Sequence, residues 1–358
     1  MAPGASLVGL KVFSNLGIST TSNFVQAIEY AVLHDDVDVI NESFGANPFP
    51  DNDNDPISLA DQAAVAGGVT VVVSTGDSGS NGTMATPSTD AAVISSGATT
   101  QYRSYAQASY GTAPFATHGW ISGNISPFSS GGFSMSGPRM PDTVAPGDLG
   151  WALCSTNTTL FTDCTNYGTP AAAAPIQQFG GTSESSPLTA GAAALVIQAY
   201  RSTHGGKRPT PALVKEILMS TATDLGAPPS EQGAGFIDAL AAVNAALGTG
   251  TGSSLLNDPT NASIVDSPGA SETVSVAITN TGSTAQHLAP RLQALGPAFA
   301  GKTVTLTLNP AVDPTFPNVT GSIDGEFPFE PEVALSPLVR VLRDNWNEQS
   351  AILDLPAD

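Results

Sequence analysis

The residues best suited to covalent chemistry lie at positions 179–187, Phe179-Gly180-Gly181-Thr182-Ser183-Glu184-Ser185-Ser186-Pro187. They run into residues 188–200, a stretch with no charged side chain, as expected of a helix buried on all sides. Ser183 is thereby aimed from the start of that helix. Gly180 and Gly181 remove side chains that would hold another backbone away from the serine, and Pro187 is tolerated close to a helix start, where N–H groups lack intrahelical partners. Free N–H groups and the positive end of the helix dipole favour negative charge developing beside the hydroxyl. This arrangement suits acyl transfer through a serine nucleophile. A Gly-Thr-Ser tripeptide ahead of a helix also serves as an ordinary N-cap, so the neighbouring elements must decide.

Residues 6–13 read as a buried strand, and residues 22–33 as a helix with Phe24, Ala27, Ile28, Ala31 and Val32 on one face. Residues 37–41 form a short strand pattern. Residues 57–66 predict a second helix, stopped by Gly67-Gly68, and residues 69–74 an uninterrupted β-branched strand. Strand and helix in alternation predict an α/β fold of three layers, a parallel sheet with helices on both faces. Ligands gather at the carboxyl ends of such strands. Two of those ends carry small, glycine-containing segments, Ser43-Phe44-Gly45 and Ser74-Thr75-Gly76-Asp77. Beyond the serine, residues 210–221 and 237–247 predict further helices.

Gly181-Thr182-Ser183, with Pro187 four residues after the serine, resembles the nucleophile motif of the subtilisin-like serine peptidases. Val71-Val72-Val73-Ser74-Thr75-Gly76-Asp77-Ser78-Gly79 resembles the segment in which those enzymes carry an asparagine that donates to the oxyanion; here that position holds Asp77. An ionised carboxylate offers no donor and repels an oxyanion, so Asp77 is expected to help only when protonated. Aspartate is the usual residue there in the sedolisins, acid-acting relatives with the same fold and a Gly-Thr-Ser nucleophile. Thr86-Pro87-Ser88, Ser95-Ser96-Gly97-Ala98-Thr99 and Arg139-Met140-Pro141-Asp142-Thr143-Val144-Ala145-Pro146-Gly147 follow the subtilisin-like pattern, as does Gln232-Gly233-Ala234-Gly235-Phe236-Ile237-Asp238-Ala239. The resemblance covers residues 2–247. It implies a specificity pocket walled by Ser43, Phe44 and Gly45 on one side and by Ser74, Thr75 and Gly76 on the other, with Ala85 among the small residues that leave it open. The first wall would pair with an extended substrate backbone by strand addition.

A serine nucleophile needs a base to take its proton and a third group to orient that base. In subtilisin-like chains the order is Asp, His, Ser, yet no Asp-Thr-Gly or His-Gly-Thr-His motif occurs in the 358 residues. Residues 2–12 resemble the strand that follows the catalytic histidine's helix, so the chain is expected to begin just downstream of that histidine. It then reads as an inactive carboxyl-terminal fragment of a secreted serine endopeptidase. Two alternatives are a pseudo-peptidase that binds extended peptides and an acid-acting, sedolisin-like peptidase. His118, in a Ser- and Gly-rich insertion at residues 100–138, is expected to be an ordinary loop histidine.

Eleven Lys and Arg against 31 Asp and Glu give a formal charge of −20, which argues against nucleic acid or an anionic membrane as partner. The expected partner is a protein or peptide substrate of a secreted monomer. Cys154 and Cys164 predict a local disulfide in an oxidising setting or two free thiols otherwise, and without a nearby histidine they build no structural zinc site. Asp51-Asn52-Asp53-Asn54-Asp55 places oxygens at alternate positions but lacks the glycine and distal glutamate of an EF-hand loop. No cofactor is expected, and a structural calcium cannot be located from the sequence. Residues 1–247 form the peptidase-like domain and residues 248–256 a Gly/Thr/Ser linker. Residues 257–358 form a small β-sandwich similar to the accessory domains of some such peptidases, since Val274, Val276 and Ile278 alternate with polar residues and residues 304–308 and 338–342 read as strands.

Overall fold

The side chains of Val71, Val72 and Val73 leave the backbone on alternate sides, as a strand requires, and this alternation separates two cores. Val72 lies in a cluster with Ile94, Ala192, Val196, Ile217 and Ala242, whereas Val71 and Val73 lie in another with Ile28, Ala64 and Val93. In the computed structural model the described residues are 1–14, 16–45, 54–80, 82–101, 123–132, 141–148, 150–155, 176–249, 254–260 and 273–286, with three strands between 333 and 353. The chain divides into two units, Met1–Leu288 and Ala289–Asp358.

In the first unit, α1 (Thr21–Leu33), β1 (Val39–Glu42), α2 (Pro56–Ala66), β2 (Thr70–Ser74), β3 (Ile94–Thr100) and β4 (Thr143–Asp148) follow one another. The four strands pair in parallel in the order β1-β2-β3-β4. A hairpin of β5 (Gly150–Leu153) and β6 (Ile176–Phe179) leads into α3 (Thr182–Thr203), then α4 (Pro211–Ser220), a single turn α5 (Pro229–Gln232) and α6 (Ala239–Leu247). Helices α3, α4 and α6 contribute to the Val72 core, and α1 and α2 to the other, so the sheet is covered on both faces as expected. Helix starts follow local chemistry. Asp55 caps α2, accepting from the N–H groups of Ile57 at 2.9 Å and Ser58 at 3.2 Å, with Pro56 as first helical residue. Thr210 caps α4 and Asp238 caps α6 in the same way.

Lys215 of α4 reaches the strand ends on the other side of β3. Its Nζ donates to the carbonyls of Ala91 and Val93 at 3.0 and 2.7 Å and lies 2.9 Å from Asp142 Oδ2. The same Asp142 oxygen accepts from the N–H and hydroxyl of Ser95, which fastens the start of β4 to β3.

Residues 6–13 differ from expectation. They form no strand, and Leu7 is 95% exposed, with Val8, Leu10 and Phe13 also exposed. An apolar run becomes a buried strand only where a neighbouring strand pairs with it, and among the described residues β1 is the sheet edge on that side. At the other end of the unit, β7 (Leu255–Asp258) pairs antiparallel with β8 (Ala277–Asn280), and Leu256 is buried in the same core as α4 and α6. The first unit thus continues past the stretch expected to be a linker. In the second unit, β9 (Val333–Ser336), β10 (Val339–Arg343) and β11 (Gln349–Leu353) form an antiparallel sheet in the order β11-β10-β9; residues 304–308 lie outside the described residues. Among the described residues no helix is long and apolar enough to cross a membrane.

Candidate active site

Ser183 is the second residue of α3, and its surroundings follow from one missing hydrogen. Pro187 has no N–H, so the carbonyl of Ser183, four residues earlier, loses its intrahelical donor. The hydroxyl of Ser43, just past the end of β1, donates to that carbonyl instead at 3.1 Å. In return the hydroxyl of Ser183 donates to the carbonyl of Ser43 at 3.4 Å. Asn41, two residues back on the same face of β1, links Ser43 to the next turn of α3: its amide nitrogen donates to Ser43 Oγ at 3.1 Å, and its oxygen accepts from Ser186 Oγ at 2.8 Å. Half-buried Ser183 therefore faces the 43–45 segment that the sequence nominated as a pocket wall.

The second nominated segment reaches the same helix start. Gly76 N–H donates to Thr182 Oγ1 at 3.1 Å, and Asp77 Oδ1 accepts from both the N–H and the hydroxyl of Thr182, at 2.7 and 2.8 Å. Gly181 occupies the N-cap position without a side chain, so Asp77 caps α3 from more than a hundred residues away. The N–H of Ser183 meets no described acceptor. The Gly-Thr-Ser tripeptide is thus no self-contained N-cap, and the serine's own N–H is left open at the positive end of the dipole. Burial pushes the Asp77 carboxyl up from its ordinary value, outweighing the two bonds from Thr182 that favour the ionised form.

Small residues permit these approaches. Gly181 has φ 110°, and a Cβ there would lie 2.8 Å from Asp77 Oδ2. Gly181→Ala is therefore expected to cost about 1–3 kcal/mol of stability through backbone strain alone, read as a lowered urea midpoint at unchanged slope. Gly76 has φ 108° and packs on Ser130, whose hydroxyl accepts from Ser78 N–H at 3.0 Å. Ser74 and Thr75 are buried, and Thr75 is held by Ser96 and Ala85 through backbone bonds of 3.2 and 3.0 Å. Ala85 and the carbonyl of Thr86 would lie 2.9 and 3.1 Å from a Cβ on Gly45, and Ala85 would lie 3.5 Å from one on Gly76, so Ala85 sits between the two nominated segments. The ring of Phe44 stacks toward Phe24 at 4.2 Å and meets Phe13 at 6.4 Å.

Glu184, next to the serine, turns away from it toward β5, where its carboxylate accepts from Gly150 N–H at 3.1 Å. Burial, with Asp148 nearby, pushes its carboxyl up to about 7, against the lowering effect of the Gly150 bond. Sequence reasoning missed Thr182, Asn41 and Ser130 as parts of the site. Thr182 was visible only as a member of the motif, and the other two carry no local signal. Of the calcium-like run at residues 51–55, positions 51–53 lie outside the described residues, and both oxygens of Asp55 accept from Ile57, Ser58 and Thr86. Cys154 is disulfide-bonded, and Cys164 lies outside the described residues.

The chain is similar to several known proteins. The profile of the subtilase family matches residues 1–236. Serine protease AprX of Bacillus subtilis is 28% identical over 228 residues, which cover 61% of this chain and 46% of that protein. Subtilisin DY of Bacillus licheniformis is 29% identical over 229 residues, covering 63% of this chain and 64% of its own. A crystal structure of a lanthipeptide protease superposes with a TM-score of 0.47 at 24% identity, covering 66% of this chain and 68% of that one. The chain thus spans between about half and two thirds of the length of these curated relatives. With its match over the whole parallel sheet and the Ser183 helix, the chain belongs to the subtilase family of serine peptidases.

Proposed function

We propose that Ser183 is the nucleophile of a serine endopeptidase, attacking the carbonyl of an extended protein or peptide substrate laid along residues 43–45. The observation that carries this reading is the open N–H of Ser183 at the start of α3, beside its own hydroxyl. The oxyanion formed on attack would gain that N–H and the helix dipole, while Asp77 would add a donor only when protonated. No cofactor is invoked, because acyl transfer by serine requires none.

The proton of Ser183 needs a base, and among the described residues its hydroxyl meets only the Ser43 carbonyl. His34 lies against Tyr30 and His204 stacks on Tyr200 at 3.7 Å, while His118 and His287 lie outside the described residues. We accordingly propose that the acid–base pair belongs to a longer parent and that this chain alone is a poor peptidase. A disulfide at Cys154 favours a secreted protein, and the acidic composition one that engages neither nucleic acid nor an anionic membrane surface.

A fluorophosphonate probe tests the assignment. Slow labelling of the chain, abolished by Ser183→Ala, is expected. Labelling at the rate of an ordinary serine protease would place a working base within the chain, and labelling that survives the substitution would remove Ser183 from the reaction.

A further inference from the structure

Two buried acids beneath the proposed pocket take no part in that chemistry. Because Asn41 and Ser43 meet α3, Glu42 turns to the opposite face of β1, the face on which Ile40 packs against the α1–α2 core. There it faces Asp61 of α2, with the two carboxyl groups close enough to hydrogen-bond if one of them carries a proton. Glu42 is 2% exposed and Asp61 0%. No N–H or O–H of a described residue reaches Glu42 Oε2 or either oxygen of Asp61. The only hydrogen available to this contact is a carboxylic acid proton. Two ionised carboxylates at hydrogen-bond distance, out of water, would repel each other.

The surrounding charges reinforce the point. Asp55, the cap of α2, and Asp90, which accepts from Gln62, both act on the pair, and both are acids. Glu29 of α1 is exposed, β2 has no titratable side chain, Glu184 of α3 faces Gly150, and Arg201 of α3 is paired with Asp38 before the other end of β1. Burial together with this acidic company makes the pair keep a proton far above the usual carboxylate range. The cap of helix α2 also reaches the pocket's surroundings, since Asp55 Oδ2 accepts from Thr86 Oγ1 at 2.7 Å, and Thr86 and Ala85 lie against Gly45.

We propose that Glu42 and Asp61 share one proton that fastens the end of β1 to α2, and that this bond positions Ser43, Phe44 and Gly45 against the Ser183 helix. The bearing on a substrate pocket rests on the function proposed above; the shared proton does not. The folded chain holds a proton that the unfolded chain releases once pH exceeds the ordinary carboxylate range. Stability contributed by the pair is therefore complete at low pH and is lost as pH rises toward the pair's own titration. For this one proton the unfolding constant grows about tenfold per pH unit between roughly pH 5.5 and 8.

Infrared spectra of the folded chain at about pH 8, where Glu184 is mostly ionised, should contain the carbonyl stretch of a protonated carboxyl group. Glu42→Gln and Asp61→Asn should each remove that band, because each leaves one carboxylate accepting from an amide. The rise of the unfolding constant with pH should also be less steep in each variant, by about tenfold per pH unit. A band and a slope unchanged in both variants would overturn the proposal. So would calcium raising the unfolding midpoint of the unsubstituted chain and not of the variants, which would assign the oxygens to a cation. If neither variant folds, the unsubstituted chain decides: a band at that pH supports the shared proton and its absence overturns it. Ser183→Ala, which removes the serine chemistry, leaves band and slope in place, so the two proposals fail separately.

Discussion

Asp77→Asn is expected to speed acylation of Ser183 by a fluorophosphonate at neutral pH by about 100-fold. The substitution keeps what Asp77 does in the fold. Thr182 donates its N–H and its hydroxyl to a single oxygen, Oδ1, and an amide oxygen accepts both equally well. It changes Oδ2, the oxygen beside Gly181, into an NH2 group. A repelling charge next to the developing oxyanion becomes a donor, the kind of group whose removal from an oxyanion site typically costs 100-fold or more. The pH dependence identifies the cause. Burial raises the carboxyl of Asp77, so the unsubstituted chain gains a donor as pH falls through that raised value, while the Asn variant has one at every pH. The ratio of the two rates should shrink toward one in acid and be largest at neutral pH. Because both proteins lose reactivity equally as the serine becomes harder to deprotonate, the ratio isolates Asp77. A ratio independent of pH would mean that protonation of Asp77 plays no part, and would leave the acid-acting reading without support.

The same residue shows what a sequence can and cannot disclose. Its type and its place after a β-branched strand made Asp77 conspicuous, and the chemistry of a carboxylate near an oxyanion followed from type alone. That it caps α3 through Thr182 did not follow, because a contact between residues 77 and 182 is a property of the folded sheet. The elements with local causes were legible to within a residue or two. Helix α2 begins where Asp55 and Pro56 make it begin, and β2 is a strand because its valines are β-branched. Residues 6–13 show the opposite case, since apolarity describes what a strand would bury and not whether a neighbour is present to pair with it. Nothing local in the sequence marks Glu42, an acid just past the 37–41 strand pattern. Only the alternation of β1 against two different layers, with Asp61 waiting on one of them, makes it a buried pair.

Lys215→Met is expected to destabilise the first unit by about 3–5 kcal/mol, measured by urea unfolding. Asp142 is 0% exposed and the Lys215 side chain 17%, so their 2.9 Å contact lies largely out of water. A surface ion pair would contribute little, but removing one member of a buried pair leaves the other charge buried with less compensation. Methionine preserves the length and apolar stem of lysine, so the loss reports the charge and its hydrogen bonds and not a cavity. Three acceptors each lose one donor together, the carboxylate of Asp142 and the carbonyls of Ala91 and Val93. The second substitution separates these effects. Asp142→Asn placed on top of Lys215→Met removes the buried charge while its amide oxygen can still accept from Ser95. The double variant should therefore recover part of the lost stability, and a double variant less stable than Lys215→Met alone would contradict the buried-charge account. Because Asp142 ties β4 to β3, and both strands support the helix that presents Ser183, the Lys215→Met variant should also lose Ser183-dependent labelling at lower urea concentrations than the unsubstituted chain.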